Sequence, residues 1–168
     1  MKNINKGLLI IGAGGHGKVV KEVAEAVGYD KIAFLDDNSA EAVGKIADSK
    51  QFVQEYQVAF VGIGNNKFRN ELLQRLEQEG YEIPVLLHPT AYISKTAVIG
   101  KGTVVEPKAI VNANSRVGVG CIISVGAIVD HDVVLEECVH VNAGAICKAG
   151  SFVAKETKLE AGQVVKGY

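Results

Sequence analysis

The sequence predicts an α/β domain built on a parallel sheet, followed by a parallel β-helix of hexapeptide repeats. In the first half of the 168-residue chain, apolar runs alternate with segments of helical periodicity, which is typical of a parallel sheet with connecting helices. From residue 91 onward an aliphatic or near-aliphatic residue recurs at every sixth position, and helical periodicity cannot produce this pattern. We place the first domain at residues 1–87 and the second at residues 88–168.

The first domain is predicted from short apolar runs of strand length. They lie at residues 7–11, 31–35, 58–61 and 85–87. Helical spacing predicts three helices between them: one that ends at Gly28, a weaker one over residues 49–56, and one that Asn65 or Asn66 caps and Gly80 ends. Strands that alternate with helices predict a three-layer domain with four parallel strands.

The loop after the first strand carries the glycine spacing of a Rossmann-like dinucleotide-binding fingerprint, Gly12-x-Gly14-x-x-Gly17. Asp36, at the end of the second strand, stands where a ribose-binding acid would. Backbone N–H groups at a helix N-terminus bind phosphate of any kind, and four strands are about half of a dinucleotide fold. A mononucleotide or nucleotide sugar therefore fits better than NAD. The alternative is that the glycines bind no ligand and serve only the tight packing of the strand against the helix. His16 favours binding, because turn geometry does not require an imidazole between two glycines.

Three loops of this domain each follow a predicted strand. They comprise residues 12–17, 36–38 and 62–66, the last of which contains Gly64 and Asn65. In open α/β sheets, ligands bind at the carboxyl edge of the strands, where such loops meet. We therefore predict that the three loops form one substrate cleft.

The β-helix is predicted from three series of positions in its hexapeptides. The aliphatic series is Ile93, Ile99, Val105, Val111, Val117, Ile123, Val129, Leu135, Val141, Cys147, Val153, Leu159 and Val165. A mostly small residue lies two positions before each member, and in eight hexapeptides glycine, Asn114 or Asp132 lies three positions after, where such residues tolerate positive φ. A chain that turns at such a corner every six residues builds a solenoid of stacked strands. Cys121 and Cys147 fall on its inward positions.

Two histidines of the solenoid are predicted to point outward, His131 at a corner and His140 on a flat face. In one protomer they lie on different sides, so they could meet only across a subunit interface. The alternative for Asp132 is a purely structural role, since corners favour Asn and Asp. The alternative for His140 is a solvated or interface-packed side chain without a catalytic role. A three-histidine zinc site in a trimer is a further alternative that no spacing here requires.

Together these motifs resemble those of the sialic-acid O-acetyltransferase and bacillosamine-type sugar N-acetyltransferase family. The motifs are GAGGHGKVV at 12–20, FLDD at 34–37, HPTA at 88–91, DHD at 130–132 and VHV at 139–141. The resemblance implies a left-handed β-helix with three hexapeptides per coil and a homotrimer with active sites at the subunit interfaces. It also implies transfer of an acetyl group from acetyl-CoA, with no metal.

The resemblance further implies a role for each matching residue. His131 is the catalytic base, and Asp132 orients it. The glycine fingerprint, the three cleft loops and the resemblance together predict a nucleotide-sugar site that comprises Gly12, Gly14, His16, Gly17, Asp36, Gly64, Asn65 and Ser124. The acetyl-CoA site comprises His140, Gly144, Ala149 and Gly150. The predicted reaction is N-acetylation of a UDP-4-amino sugar in surface-glycan biosynthesis, and the alternatives are O-acetylation of a sialic-acid-type sugar or a trimeric nucleotide-sugar-binding scaffold.

Two features depart from the family pattern, and bulk properties limit the partners. Ser124 stands where the family usually has asparagine, and the repeat continues for about one and a half coils after His140, so we expect a shortened CoA groove. The net charge of −1 gives no reason to expect nucleic acid or an anionic membrane as a partner. Three cysteines without CxxC spacing, and the lack of a targeting or membrane-spanning segment, predict a reducing cytoplasm.

Overall fold

The computed structural model describes residues 6–168, and these divide into two compact units. The first unit ends at Pro84, and the second spans Val85–Tyr168. The first is an α/β unit with a parallel sheet and the second is a β-solenoid, so the predicted fold class is confirmed.

The first unit is organised around a three-stranded parallel sheet. Its strands are β1 (Leu8–Ile11), β2 (Ile32–Leu35) and β3 (Val58–Val61), in the order β2-β1-β3. Strands β1 and β3 are buried along their whole length, which explains their continuous apolar sequences. Ile11 pairs with Leu35 on one side and with Val61 on the other, so all three strands end at the same level. The loops that follow them therefore leave from one edge of the sheet.

Two α-helices and a 3-10 helix complete this unit. Helix α1 (Gly15–Val27) ends at Gly28, and helix α2 (Asn66–Glu79) begins after Asn65 and ends at Gly80, as predicted. The α-helix predicted over residues 49–56 is wrong, because a 3-10 helix occupies Ile46–Phe52 instead. Its residues Ile46, Ser49 and Phe52, which are all at least partly buried, recur every three positions and so match three residues per turn.

The predicted fourth strand of the sheet belongs to the β-solenoid instead. Leu86–Leu87 pairs in parallel with Val104–Val105, and the N–H of Leu86 donates to the carbonyl of Thr103 at 3.0 Å. A short apolar run does not reveal which sheet it joins. The signal was nevertheless present in the sequence, because Leu87 lies six residues before Ile93 and so continues the repeat.

The second unit consists of two-residue strands that form three parallel sheets, each named here by one member. The His140 face contains Leu86–Leu87, Val104–Val105, Ile122–Ile123 and His140–Val141. The Ile128 face contains Tyr92–Ile93, Ile110–Val111, Ile128–Val129, Ile146–Cys147 and Val164–Val165. The Val134 face contains Val98–Ile99, Arg116–Val117, Val134–Leu135 and Phe152–Val153. Paired residues lie 18 positions apart, as Ile122 and His140 do, so a coil contains three hexapeptides.

Every corner predicted from the sixfold register has positive φ, and three further corners continue it. The predicted corners are Gly102, Asn114, Gly120, Gly126, Asp132, Gly144, Gly150 and Gly162. Lys108, Cys138 and Glu156 have the same backbone conformation, with φ between 54° and 59°, although their side chains do not favour it. The stacked coils therefore impose the corner on whichever residue occupies it. Cys121 and Cys147 are buried in the interior, as predicted.

Replacing Lys108 by glycine is expected to stabilise the protein by about 0.5–1 kcal/mol, because glycine adopts positive φ without steric cost. Chemical denaturation measures this change. Lys95→Gly is the matched control, since Lys95 lies one residue before a corner position and has no positive φ. That control is expected to lower the free energy of unfolding, and stabilisation by both variants would contradict the argument.

Candidate functional site

The side chains of His131 and Asp132 form a hydrogen-bonded pair at one corner of the β-solenoid. The Nδ1 atom of His131 lies 2.7 Å from Oδ2 of Asp132, and both side chains are about half exposed. The corner conformation of Asp132 has φ +57°, and its N–H donates to the carbonyl of Ala113 at 2.9 Å. Asp132 is therefore both a structural corner residue and the partner of the imidazole.

A ladder of polar side chains from the preceding coil supports this pair. Asn114 Nδ2 donates to Oδ1 of Asp132 at 3.2 Å, and Asn112 Nδ2 donates to Oδ1 of Asp130 at 3.1 Å. The same Asp130 oxygen accepts the N–H of His131 at 2.8 Å. Sequence reasoning predicted Asn114 only as a corner residue and missed Asn112 and the bracing role of Asp130. The spacing of 18 residues between Asn112 and Asp130, and between Asn114 and Asp132, was available as a signal.

Hydrogen bonding and charge shift the titration of this corner. The hydrogen bond that Nδ1 of His131 donates to Asp132 raises the pKa of His131 above its usual value of 6.5, with smaller contributions from the charges of Asp130 and Asp132. The same bond, with that from Asn114, lowers the pKa of Asp132. With Nδ1 held by the carboxylate, Nε2 is the ring nitrogen that can exchange a proton with a substrate.

Tyr168 packs on the same corner of the solenoid. It follows Asp132 by 36 positions, which is two coils, and Gly150 lies midway between them. The ring centroid of Tyr168 lies 6.3 Å from that of His131, and its hydroxyl lies 3.5 Å from Oδ2 of Asp132. A Cβ atom at Gly150 would lie 1.9 Å from the Tyr168 ring. Gly150 therefore makes room for an aromatic ring beside the His131–Asp132 pair.

The four residues predicted to contact acetyl-CoA lie in the last coils of the solenoid. The carbonyl of Ala149 accepts the N–H of Tyr168 at 3.2 Å. Gly144 has φ +64°, and no heavy atom lies within 4 Å of the place where its Cβ would be. The Nε2 atom of His140 is 3.1 Å from the buried hydroxyl of Ser124. Ser124, predicted on the sugar side, therefore contacts a residue predicted on the CoA side.

His131 and His140 lie on different sides of the solenoid. His131 follows the Ile128 face and precedes the Val134 face, whereas His140 is part of the third sheet. One chain thus contains two separate polar pairs, His131 with Asp132 and His140 with Ser124.

In the first unit, the carboxylate of Asp36 connects two loops at the carboxyl edge of the sheet. Its Oδ2 accepts the N–H of Ala13 at 2.8 Å, and its Oδ1 accepts the N–H groups of Asn38 and Ser39 at 2.8 and 3.0 Å. These bonds, led by that from Ala13, lower the pKa of Asp36. Asp36 therefore braces the glycine loop, a role that the prediction of a ribose contact did not include.

The glycines of the cleft loops separate into two groups. A Cβ at Gly17 would lie 2.0 Å from the carbonyl oxygen of Gly12, and Gly12 itself has φ +102°, so packing requires both. At Gly14 and Gly64 no heavy atom lies within 4 Å of an added Cβ. Packing alone therefore accounts for the first group and leaves the second unexplained. Gly14 caps helix α1 without a side chain, so the helix N-terminus stays accessible to an anion.

Asn65 and His16 complete the cleft residues predicted from sequence. The Asn65 side chain accepts the N–H of Phe68 at 2.9 Å and so caps helix α2, as predicted. His16 lies in the first turn of helix α1. Burial and, to a smaller extent, the positive charge of Arg69 lower the pKa of His16 to about 4. Its imidazole is therefore neutral near pH 7.

Residues 6–168 contain neither a metal-binding cluster nor a membrane-spanning helix. No group of three or more His, Cys, Asp or Glu side chains in this part of the chain could hold a metal ion. None of its helices combines the length and apolar character needed to cross a membrane.

Comparison with known proteins identifies relatives for both units. Residues 7–76 match the family described as the PglD N-terminal domain. Over 111 residues the chain is 32% identical to UDP-N-acetylbacillosamine N-acetyltransferase of Bacillus subtilis (strain 168), and the match covers 60% of this chain and 51% of that protein. The chain thus spans about half the length of this curated relative.

Two solved structures are similar over nearly the whole chain. The acetyltransferase domain of PglB from Neisseria gonorrhoeae FA1090, in complex with acetyl coenzyme A, is 36% identical with a TM-score of 0.92, over 98% of this chain and 83% of that one. PerB from Caulobacter crescentus, in complex with CoA and GDP-perosamine, is 28% identical with a TM-score of 0.80, over 99% of this chain and 92% of that one.

Replacing Asp132 by asparagine is expected to lower the pKa of His131, because the variant removes the carboxylate that stabilises the imidazolium. The imidazole would then lose its proton at lower pH than in the wild type. An NMR titration of the His131 ring measures the change. Asp130→Asn is the control and is expected to have a smaller effect, because Asp130 bonds to the His131 backbone. Equal shifts in both variants would contradict the assignment.

Proposed function

Since the chain belongs to the bacillosamine-type family of sugar N-acetyltransferases, we propose that it transfers an acetyl group from acetyl-CoA to the amine of a nucleotide-linked amino sugar. The observation that carries this proposal is the pair formed by His131 and Asp132. Surface-glycan biosynthesis in a reducing cytoplasm is the setting that we propose, and the buried thiols of all three cysteines agree with it.

The proposed reaction needs one proton acceptor close to the attacking amine. The amine nitrogen attacks the thioester carbonyl carbon while Nε2 of His131 takes a proton from that nitrogen. The tetrahedral intermediate then collapses, the bond from carbon to sulfur breaks, and the imidazolium returns the proton to the CoA thiolate. Such general base catalysis contributes roughly 10²–10⁴-fold.

Asp132 adjusts the base for this task. Its bond to Nδ1 fixes the ring orientation and the tautomer, and its negative charge stabilises the imidazolium that forms. Because the pKa of His131 is raised, a larger fraction of the enzyme is protonated and inactive at mildly acidic pH. The rate is therefore expected to rise with pH until His131 is fully neutral.

We assign the nucleotide sugar to the loops of the first unit. The open space at Gly14 and Gly64 and the accessible N-terminus of helix α1 suit a phosphate group. The neutral imidazole of His16 suits a sugar hydroxyl or amide, since it can both donate and accept a hydrogen bond. The binding of GDP-perosamine by a relative supports this assignment.

We assign acetyl-CoA to the last coils of the solenoid, which contain His140 and Gly144. We place the acetyl carbonyl near His140, whose Nε2 lies 3.1 Å from the Ser124 hydroxyl, and Gly144 leaves its backbone accessible to the CoA arm. The acetyl-CoA complex of the Neisseria relative supports the choice of co-substrate. N-acetylation is preferred over O-acetylation because the Bacillus relative is named as an N-acetyltransferase.

The His131→Ala variant is expected to lose roughly 10²–10⁴-fold in kcat/KM, because it removes the imidazole that accepts the proton from the amine. The assay measures thiol release from acetyl-CoA with a panel of UDP- and GDP-linked amino sugars. Lys95→Ala, at the same corner position two coils earlier, is the control and should retain full activity.

Three results would contradict the proposal in different ways. Full activity of His131→Ala would exclude this residue as the base. Thiol release only with hydroxyl acceptors would identify an O-acetyltransferase. Binding of a nucleotide sugar without any thiol release by the wild type would identify a scaffold.

We further propose a homotrimer with active sites between subunits. Apolar side chains are exposed on two outer faces of the solenoid, with Val98 63% and Phe152 58% exposed on the Val134 face and Tyr92 58% exposed on the Ile128 face. Exposed apolar patches of this kind mark interfaces. A second subunit would also bring a His140 to the His131 of its neighbour, which one chain does not do.

Light scattering of the wild type is expected to give close to three times the chain mass of 17.8 kDa. Phe152→Asp is expected to weaken association, because it places a charge beside the exposed apolar side chain of Val134. Lys148→Asp is a control with a charge change outside the three faces. A monomeric mass for the wild type at assay concentration would overturn the proposed interface.

A further inference from the structure

We propose that Arg69 is a positioning residue for the sugar acceptor. It acts by fixing the third cleft loop, residues 62–66, and through the effect of its charge on His16. This inference rests on the proposed binding of a nucleotide sugar to the loops of the first unit. It deepens that proposal, because Arg69 belongs to none of the motifs that predict the cleft.

Arg69 occupies an apolar position of helix α2. Leu72, Leu73 and Leu76 follow it at the spacing of one helical face, and all three are buried. Arg69 is only 1% exposed, although arginine is rarely buried to this degree unless it is held by hydrogen bonds. A leucine or methionine would fill this position at lower desolvation cost, so packing alone does not account for a guanidinium here.

Hydrogen bonds join the guanidinium of Arg69 to the start of the helix and to the loop before it. Its Nη1 donates to the carbonyl of Ile63 at 3.0 Å, and its Nη2 donates to Oδ1 of Asn66 at 2.7 Å. Ile63 is part of the third cleft loop, and Asn66 is the first residue of helix α2. Because the guanidinium is planar and rigid, the two bonds together fix the loop relative to the helix.

The third cleft loop in turn supports the glycine loop. A Cβ at Gly62 would lie 2.8 Å from the Cα of Gly17, and a Cβ at Gly12 would lie 2.7 Å from Cγ1 of Ile63. The two loops are therefore in close contact, and a displacement of Ile63 would displace the glycine loop. Arg69 thus controls the shape of the cleft although its own side chain is buried.

The charge of Arg69 also acts on His16. After burial, this charge is the second cause that lowers the pKa of His16 to about 4. A neutral imidazole can accept a hydrogen bond from a sugar hydroxyl, whereas an imidazolium can only donate. The charge of Arg69 therefore adds to burial in favouring the form that has both options.

Arg69→Met is the test variant, and Arg75→Met is the matched control on the same helix. Arg75 bonds to Glu79 at 2.7 Å and to the carbonyl of Ala47 at 2.7 Å, away from the cleft loops. The measurements are the KM for the UDP- or GDP-linked amino sugar, the KM for acetyl-CoA, and an NMR titration of the His16 ring, assigned with His16→Gln.

In Arg69→Met we expect the KM for the sugar to rise about tenfold or more while the KM for acetyl-CoA stays unchanged. The pKa of His16 is expected to rise above about 4 and to stay below 6.5, because burial remains. Arg69→Lys keeps the charge but not the rigid pair of bonds, so it should restore the low pKa and only part of the sugar affinity. Arg75→Met should change none of these quantities.

The two proposals fail in distinguishable ways. If the wild type accepts no nucleotide sugar, the proposed function is wrong. If the wild type accepts one and folded Arg69→Met has the wild-type KM for the sugar and the wild-type titration of His16, the role of Arg69 is wrong. Should Arg69→Met not fold, Arg69→Lys decides: unchanged sugar affinity in that variant overturns the positioning role. Circular dichroism establishes which variants are folded.

Discussion

The backbone corner with positive φ at every sixth residue is the constraint on which the β-solenoid depends. The solenoid imposes this conformation on glycine, asparagine and aspartate, and equally on Lys108, Cys138 and Glu156. Because each coil contains 18 residues, side chains at equivalent corners stack directly above one another. The bond from Asn114 to Asp132 is a consequence of this stacking, since the two residues are one coil apart. The chemistry of the site therefore depends on an unbroken repeat.

Features that recur locally could be predicted from the sequence, and features that depend on long-range contact could not. The sixfold register predicted the strands and the corners, because each hexapeptide satisfies the same steric condition. The partner of Leu86–Leu87 was mispredicted, because a short apolar run fits a flat sheet and a solenoid equally well. Arg69 was overlooked for a similar reason: a charged residue on a helix is usually solvent-exposed, and only the structure shows that this one is buried.

The glycine motif shows why a correct pattern can still leave a role open. Gly12 and Gly17 satisfy a close approach between a strand and a helix, and they would be needed with or without a ligand. Gly14 and Gly64 meet no such requirement, so their conformational freedom has a cost that packing does not offset. Asp36 similarly joins two loops through backbone N–H groups. Gly12 and Gly17 are thus required by the fold itself. The glycines that indicate a ligand are Gly14 and Gly64, whose presence packing does not explain.

The titration of two histidines separates the proposed roles of the two units. His131 is exposed and bonded to a carboxylate, so its pKa is raised, whereas His16 is buried near a guanidinium, so its pKa falls to about 4. A group that accepts a proton during turnover must bind it near the working pH, and the raised pKa of His131 favours that binding. His16 does not meet this requirement, because protonating it near pH 7 would require a large free-energy input. These opposite environments agree with the proposal that proton transfer occurs at the solenoid corner and hydrogen bonding to the sugar in the α/β unit.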